Sequence, residues 1–471
     1  MPSPDRPVVT RIAPSPTGSM HIGNARAALF NWLYARHCKG RFLLRIEDTD
    51  RQRHSEAAVQ VIFDSLKWLG LDTDGEPVFQ FARAELHRGV AEQLLASGHA
   101  YRCYMTSEGA EDAKRLARIE GHALRSPWRD RSPPPERAHE PHVLRFKVPN
   151  DGETVIEDLV RGTVRFPNKD LEDLVIVRTD GAPTYNLAVT VDDHDMGVTH
   201  VVRGEEHLSN AARQALIYGA MDWVLPTFAH LPLIVGADGA KLSKRHGAQS
   251  VGDFKDMGYL PEALRNYLAR LGWGHGDAEI FSDAEAIAWF DLKDVLRPPA
   301  RLDLVKLAHV NNHYIRVADD ARLADLVMEA MSRRGTEVLE DAPALLTAVI
   351  PLVKEGAKTI LDLDDLCRFA LARRPLIFDE KSAGLLNDEA KARLSRLSPH
   401  LAEEADWTPP ALTVSLRAFA AAEGVGLGKF GAPLRAALSG GLPAPDLASA
   451  LAALGKTESL GRIEDALSQG K

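Results

Sequence analysis

Two short stretches place nitrogen donors where a phosphate could sit. One is RIAPSPTGSMHIGN, residues 11–24, and the other is GAKLSKRHG, residues 239–247. In the first, a proline- and glycine-rich turn leads from a strand-like run into a helical pattern. Free backbone N–H groups at such a helix start form an anion site. His21 and Asn24 add hydrogen-bond donors where charge develops on a phosphoryl group, and Gly18 and Gly23 permit close approach. The competing reading is a capped helix start with a solvent-facing histidine. In the second stretch Lys241 and Lys244 lie three residues apart, with Ser243 between them and glycines on either side. Such a loop can fold over a polyphosphate and neutralise it; the alternative is a solvated basic turn.

The elements around these motifs set their positions. Residues 8–13 (VVTRIA) read as a buried strand. Ile22, Ala25, Ala28, Leu29, Trp32 and Leu33 form a helical stripe, with Gly40 as its terminator. RFLLRIE (41–47) is a second strand and 55–69 a second helix, the rhythm of a parallel sheet with right-handed crossovers. Residues 107–140 are polar and basic and read as a solvated or phosphate-contacting loop. Strand-like runs follow at 142–148, 163–166 and 173–178. Residues 197–240 restore the α/β pattern, so one Rossmann-like sheet is interrupted by an insertion. Both motifs then fall at its carboxyl edge, where ligands bind in open α/β folds. From Pro261 onward helices dominate, and 320–471 is an Ala/Leu-rich helical region with Gly/Pro joints.

A chain of 471 residues implies two to four domains. Only Cys38, Cys103 and Cys367 are present, too dispersed for a disulfide framework or a CxxC metal site. A reducing, cytoplasmic location is the expectation. No apolar run of membrane-spanning length occurs, and the first residues lack a secretory apolar core. The formal net charge of −9 argues against wholesale electrostatic wrapping of nucleic acid but leaves room for local basic patches.

The two motifs together resemble the HIGH and KMSKS signatures of class I aminoacyl-tRNA synthetases. The strings RFLLRIEDTD, APTYNLAVTVDDHDMGVTHVVRGEEH and GYLPEALRNYLARLGW are similar to the bacterial glutamyl-tRNA synthetase family. The resemblance covers most of residues 8–315 and continues more weakly at 419–440. It implies an α/β Rossmann-like parallel-sheet catalytic domain (1–80 and 186–240), an inserted α+β acceptor-binding domain (81–185), a stem-contact domain carrying the KMSKS-like loop (241–319) and an all-α anticodon-binding region (320–471). It implies ATP contacts from Ser15, Thr17, Gly18, His21, Gly23, Asn24, Glu206, Ile234, Lys241, Ser243, Lys244 and Arg245, with His21, Lys241 and Lys244 catalytic. It also implies a glutamate pocket of Arg11, Ala13, Ser15, Glu47, Tyr185 and Arg203. The chemistry agrees: Glu47 can pair with an α-ammonium, and Arg11 and Arg203 with the Tyr185 hydroxyl suit a carboxylate. A structural ion pair is the competing reading for each arginine.

The implied partners are L-glutamate, tRNA(Glu) and ATP with magnesium held largely by phosphate oxygens and water. No membrane partner is expected, and a monomer is. Asp192, Asp193, His194 and Asp195 read as a strand-end loop beside the pocket rather than a dedicated metal site. Gly426, Gly428 and Gly431 match GxGxxG by chance or as helix joints, and His207 either lines the ATP site or caps a helix. Some family members carry zinc in the insertion; AYRCYMTSEG keeps only Cys103, so no structural zinc is expected. Discriminating members carry an arginine before a KT pair, where VKEGAKT places Gly356. That departure suggests that tRNA(Gln) is also charged. Two other readings compete: a glutamyl-queuosine tRNA(Asp) synthetase-like paralogue, which lacks the helical C-terminal domains, and a non-catalytic RNA-binding relative.

Overall fold

The computed structural model describes residues 6–49, 55–131, 134–137, 139–240, 242, 250–336 and 340–469. The chain divides into two units, residues 1–253 with 264–303, and residues 254–263 with 304–471.

The first unit runs β1 (Val9–Ile12), α1 (Ile22–His37), β2 (Arg41–Ile46), α2 (Glu56–Trp68), β3 (Val78–Phe79), α3 (Ala84–Ala96), β4 (Ala100–Cys103), α4 (Ser107–Ile119), β5 (Val143–Phe146), β6 (Glu153–Asp158), β7 (Gly162–Pro167), β8 (Val175–Val177), α5 (Tyr185–Asp195), β9 (His200–Gly204), α6 (Leu208–Ala220), β10 (Thr227–Leu231), β11 (Ile234–Val235) and β12 (Ala300–Arg301). Strands β3-β2-β1 form one parallel set; β6-β10-β9 form another, with β7 antiparallel on the outer edge of β6. They join where the Thr199 N–H donates to Val9 O at 2.9 Å and the Val9 N–H to Thr199 Oγ1 at 2.8 Å. The layer therefore reads β3-β2-β1-β9-β10-β6-β7. Chain order reverses at β1, so the crevice above the β1 and β9 carboxyl ends is the topological switch point.

Local choices fix this layer. Lys39 takes the left-handed turn conformation (φ 53°) after α1, not Gly40. Gly40 serves close approach instead: a Cβ there would lie 2.1 Å from Val8 O. Helix α1 is buried on nearly every side rather than along one stripe. Its polar Asn31 is accommodated because Nδ2 donates to Ala27 O at 2.8 Å and to Val202 O on β9 at 2.9 Å.

The segment expected as an insertion contributes twice. Strands β4-β5-β8 make a separate antiparallel sheet over a core including Leu94, Phe146 and Ile176. The hairpin β6–β7, whose first strand the sequence patterns did not mark, extends the main sheet by pairing β6 with β10. The polar 107–140 stretch is not simply a loop. Thr106 caps α4 by accepting from the Gly109 N–H at 3.1 Å. Arg129 pairs with buried Asp173 at 2.6 Å, and Trp128 packs edge-on against Tyr104. Buried Cys103 meets Ser126 Oγ at 3.2 Å.

Residues 230–236 (HLPLIVG), within the stretch read as restoring the α/β pattern, also divide. Their first part belongs to β10, whereas β11 leaves the main sheet to pair with β12. The second unit is helical from Leu304–Val317 to Leu447–Ser468, with Leu346, Leu363, Leu394, Phe430 and Leu451 in its core. Gly428 and Gly431 lie in the helix Gly428–Ser439, away from any strand. Gly356 is exposed in a single 3-10 turn (Lys354–Gly356), ahead of a helix capped by Thr359 and Asp362.

Candidate active site

A cavity of about 520 Å³ opens at the switch point. From β1 and the turn after it come Arg11, Ala13, Ser15 and Thr17; from the start of α1 come His21, Gly23, Asn24 and Arg26. Glu47, Tyr185, Arg203, Glu206 and Ile234 close the other walls. Of the expected residues within the described ones, all but Gly18 and Gly356 line this space. Gly18 sits in the turn with φ +137°, a conformation that favours glycine. Lys241, Ser243, Lys244 and Arg245 lie outside the described residues, but the chain on either side of them is placed. Leu242 lines the cavity, and Ser250 forms a β-bridge with His21. The Val251 N–H donates to Met20 O at 3.0 Å, so the chain that follows the second motif meets the end of the first turn.

At the helix end, His21 has two placements that do not exclude each other. His21 is the N-cap of α1, its Nδ1 accepting from the Gly23 N–H at 3.2 Å, and it lines the cavity. A ring accepting at Nδ1 carries its proton at Nε2 when neutral, so the outer nitrogen is a donor. The first turn of α1 holds no acidic residue, which leaves the positive helix end uncompensated by side chains of that turn. Beside it, the Glu205 carboxylate accepts from the Leu233 N–H at 2.9 Å and fixes the strand leading to Ile234. A Cβ at Gly204 would lie 2.2 Å from the Glu206 carboxylate, so a side chain there would turn that carboxylate away from its present position.

At the other end, charge is dense and ordered. Arg11 makes two parallel bonds to Asp193, Nε–Oδ1 at 3.0 Å and Nη2–Oδ2 at 3.1 Å. Fully buried Arg45 reaches the same carboxylate at 2.5 Å and Glu47 at 3.2 Å. Asp192, equally buried, accepts from Arg83 at 2.7 Å, contacts His87 at 2.8 Å and accepts from Gln80 at 2.9 Å. Residues 192–195 are thus the last turn of α5, not a strand-end loop, and their carboxylates bind arginines. Burial alone would raise the Asp193 carboxyl, but Arg11 and Arg45 outweigh it and hold it down to about 2. Burial pushes the Glu47 carboxyl up despite the neighbouring arginines. Burial, helped by the Glu47 charge, pushes the Tyr185 hydroxyl up to about 12, so it stays a donor at neutral pH.

Arg203 differs from Arg11. Its Nε donates to His230 Nε2 at 3.2 Å and its Nη2 to Gln214 at 2.9 Å, while buried Nη1 has no protein acceptor among the described residues. A cavity-lining guanidinium with an unused buried donor is built to receive an anion. His207, which lines the cavity beside it, lies 3.4 Å from the Tyr185 hydroxyl. Arg26, Arg45, Glu205 and His230 were not among the sequence candidates, and Asp193 was weighed only as a metal ligand beside the pocket. Only Arg45 had a visible cue, since it shares a strand face with Glu47 two residues on.

The comparisons with known proteins agree with this geometry. Residues 7–309 match the family model for class I tRNA synthetases (E and Q), catalytic domain, and residues 322–467 match an anticodon binding domain. The glutamate–tRNA ligase of Phenylobacterium zucineum is 63% identical over 467 residues, 99% of each chain. That of Caulobacter sp. (strain K31) is 60% identical, covering 98% of this chain and 97% of its own. A crystal structure of a glutamate tRNA ligase from Elizabethkingia meningosepticum, in complex with its amino acid, superposes with a TM-score of 0.84 at 32% identity, over 99% of this chain and all of that one. The chain belongs to the glutamate and glutamine branch of the class I tRNA synthetases, with that family's catalytic module followed by an anticodon-binding domain.

Proposed function

We infer that this protein is a glutamate–tRNA ligase. The unused Nη1 of Arg203, in a cavity that also holds Glu47, Tyr185 and the start of α1, carries the reading. Arg203 and the Tyr185 hydroxyl bind the side-chain carboxylate of glutamate, and Glu47 pairs with its ammonium. Arg11, already paired with Asp193, supplies the positive wall and holds that carboxylate in place. The α-carboxylate then lies toward His21, where ATP rests with its phosphates on the helix start and its adenosine between Glu206 and Ile234. A glutamate oxygen attacks the α-phosphorus, and the bond to pyrophosphate breaks. His21 Nε2–H stabilises the charge gathering on the phosphate oxygens, and Lys241 and Lys244 do the same from the second motif. A terminal ribose hydroxyl of tRNA next attacks the mixed anhydride, and AMP leaves. Positioning and charge stabilisation suffice, without a covalent nucleophile.

Magnesium accompanies ATP in this reading, on phosphate oxygens and water. Among the described residues no three His, Cys, Asp or Glu side chains converge to hold a metal. The helical match over 322–467 favours this activity over the glutamyl-queuosine paralogue. A monomer in the cytoplasm fits the same reading; no described helix is long and apolar enough to cross a membrane. The exposed Gly356 supports tRNA(Gln) as a second substrate, because this position itself has no side chain with which to read a base.

Pyrophosphate exchange and aminoacylation test these proposals together. Glutamate-dependent ATP–pyrophosphate exchange is expected in the presence of tRNA(Glu), and its absence both with and without tRNA would overturn the ligase assignment. Charging of purified tRNA(Gln) is expected as well; complete inactivity on that tRNA would remove the second substrate alone.

A further inference from the structure

Behind Arg203 lies a buried chain of polar groups that reaches into the β6–β7 hairpin. His230 on β10 is fully buried, with Nδ1 2.6 Å from Asp158 Oδ2 at the end of β6. Its Nε2 lies 3.2 Å from Arg203 Nε. Guanidinium nitrogens only donate, so Nε2 must be the accepting nitrogen and the ring proton must sit on Nδ1, donated to Asp158. Asp158 is held in turn: Oδ1 accepts from the Val160 N–H at 2.9 Å and the Arg161 N–H at 2.8 Å, and the carboxylate also accepts from the His230 N–H at 3.1 Å.

We propose that Asp158 and His230 are positioning residues for glutamate binding: the carboxylate fixes the His230 tautomer, and the ring's bare Nε2 holds the Arg203 guanidinium with Nη1 directed to the substrate carboxylate. The inference rests on the assignment of Arg203 to glutamate. The charged and titratable groups facing His230 are Asp158 and Arg161 from β6 and its turn, Arg203 from β9, and His207 beyond it. Burial and the Arg203 charge push the His230 ring below its ordinary range despite Asp158, consistent with a ring kept neutral. A protonated or reversed ring would place an N–H against the Arg203 Nε–H and displace the guanidinium.

Asp158→Asn tests this sharply, because the backbone donors dictate how the amide sits. The Val160 and Arg161 N–H groups need an oxygen, and the His230 N–H, shared between the two carboxylate oxygens, lies 3.2 Å from that same Oδ1, so the NH₂ takes the place of Oδ2 and donates to His230 Nδ1. The ring proton must then move to Nε2, facing Arg203. The expected result is a rise of about tenfold or more in the KM for glutamate, with the KM for ATP within about twofold of wild type. His230→Gln, whose side-chain oxygen can still accept from Arg203, is expected to recover most of the loss. An unchanged glutamate KM in Asp158→Asn would overturn the proposal, as would equal rises in both KM values. Should Asp158→Asn fail to fold, ¹⁵N-histidine spectra of the wild-type protein decide. The proposal requires the His230 proton on Nδ1 and fails if it is on Nε2. Arg203→Gln separates the two levels. If it leaves the glutamate KM unchanged, the pocket assignment is wrong; if it raises KM while Asp158→Asn does not, only the positioning role is wrong.

Discussion

Buried arginines do opposite work in the two units. In the catalytic unit Arg11 and Arg45 share the Asp193 carboxylate, and Arg203 keeps one buried donor unused beside a cavity. In the helical unit Arg462 is as deeply buried, yet its bonds end on the protein itself. Its Nη1 donates to Phe369 O at 2.7 Å and Leu438 O at 2.6 Å, its Nη2 to Ala372 O at 2.6 Å, and its Nε to Glu458 at 2.7 Å. Those carbonyls lie at the ends of the helices Ile360–Leu371 and Gly428–Ser439, where carbonyls lack partners within their own helices. One arrangement closes a structure; the other leaves a vacancy for a ligand. What sets Arg203 apart from Arg462 is that its unspent buried donor stands beside a cavity.

The largest effect is expected from Asp193→Asn. It leaves two buried guanidiniums facing a neutral amide, and breaking such a pair costs about 3–5 kcal/mol. Hydrogen exchange should quicken in β1 and α5 and stay unchanged over 360–371 and 428–439. Glutamate activation should be lost with it. The pH dependence has a defined sign. The Asp193 carboxyl is depressed in the folded state, to about 2, so its contribution is full above the unfolded value near 4. It is lost as pH falls from about 4 to 2. Urea midpoints of the wild-type protein should fall through that window, and Asp193→Asn should flatten the fall. An unaltered acid limb in the variant would show that Asp193 is not the linked group.

Arg462→Met comes next in size. It removes a charge of similar reach and leaves the carbonyls of Phe369, Ala372 and Leu438 without this donor, at about 2 kcal/mol. The loss should appear as faster exchange at the ends of the two helices that it caps. The KM for glutamate should stay within about twofold of wild type. A large change in that KM would refute the division drawn between the two kinds of arginine.

The same contrast explains what could be seen in the sequence. The strand and helix periodicities, the HIGN turn and the pocket's Arg203, Glu47 and Tyr185 were legible, because their signals are local or belong to quoted strings. The DDHD stretch reads as loop in the sequence because the partners of its carboxylates lie 105 to 182 residues away, and pattern reading sees only neighbours. Strand β6 was missed although Thr154, Ile156 and Asp158 alternate inward, because glutamates and an aspartate fill half of its positions. Helix α4 escaped for a related reason: its inward stripe is made only of small residues, Ala110, Ala113 and Ala117, of which Ala117 alone is buried, while Leu116 and Ile119 are exposed.

The smallest expected effect comes from repeating the aspartate-to-asparagine exchange where the carboxylate caps a helix. Asp446 starts the helix Leu447–Ser468, accepting from the Ala448 N–H at 3.1 Å and the Ser449 N–H at 3.2 Å. Its function there is to accept hydrogen bonds, which an asparagine oxygen also does. Asp446→Asn should therefore change stability by less than about 0.5 kcal/mol, whereas Asp446→Ala should cost about 1 kcal/mol. At Asp193 the opposite pattern holds, since both guanidiniums require the charge and an amide cannot supply it. Equal losses for Asp446→Asn and Asp193→Asn, measured by urea unfolding and localised by hydrogen exchange, would mean that net charge rather than pairing geometry governs both sites. A loss confined to the pocket exchange places the distinction in what each carboxylate faces: two buried cations at one position, two backbone N–H groups at the other.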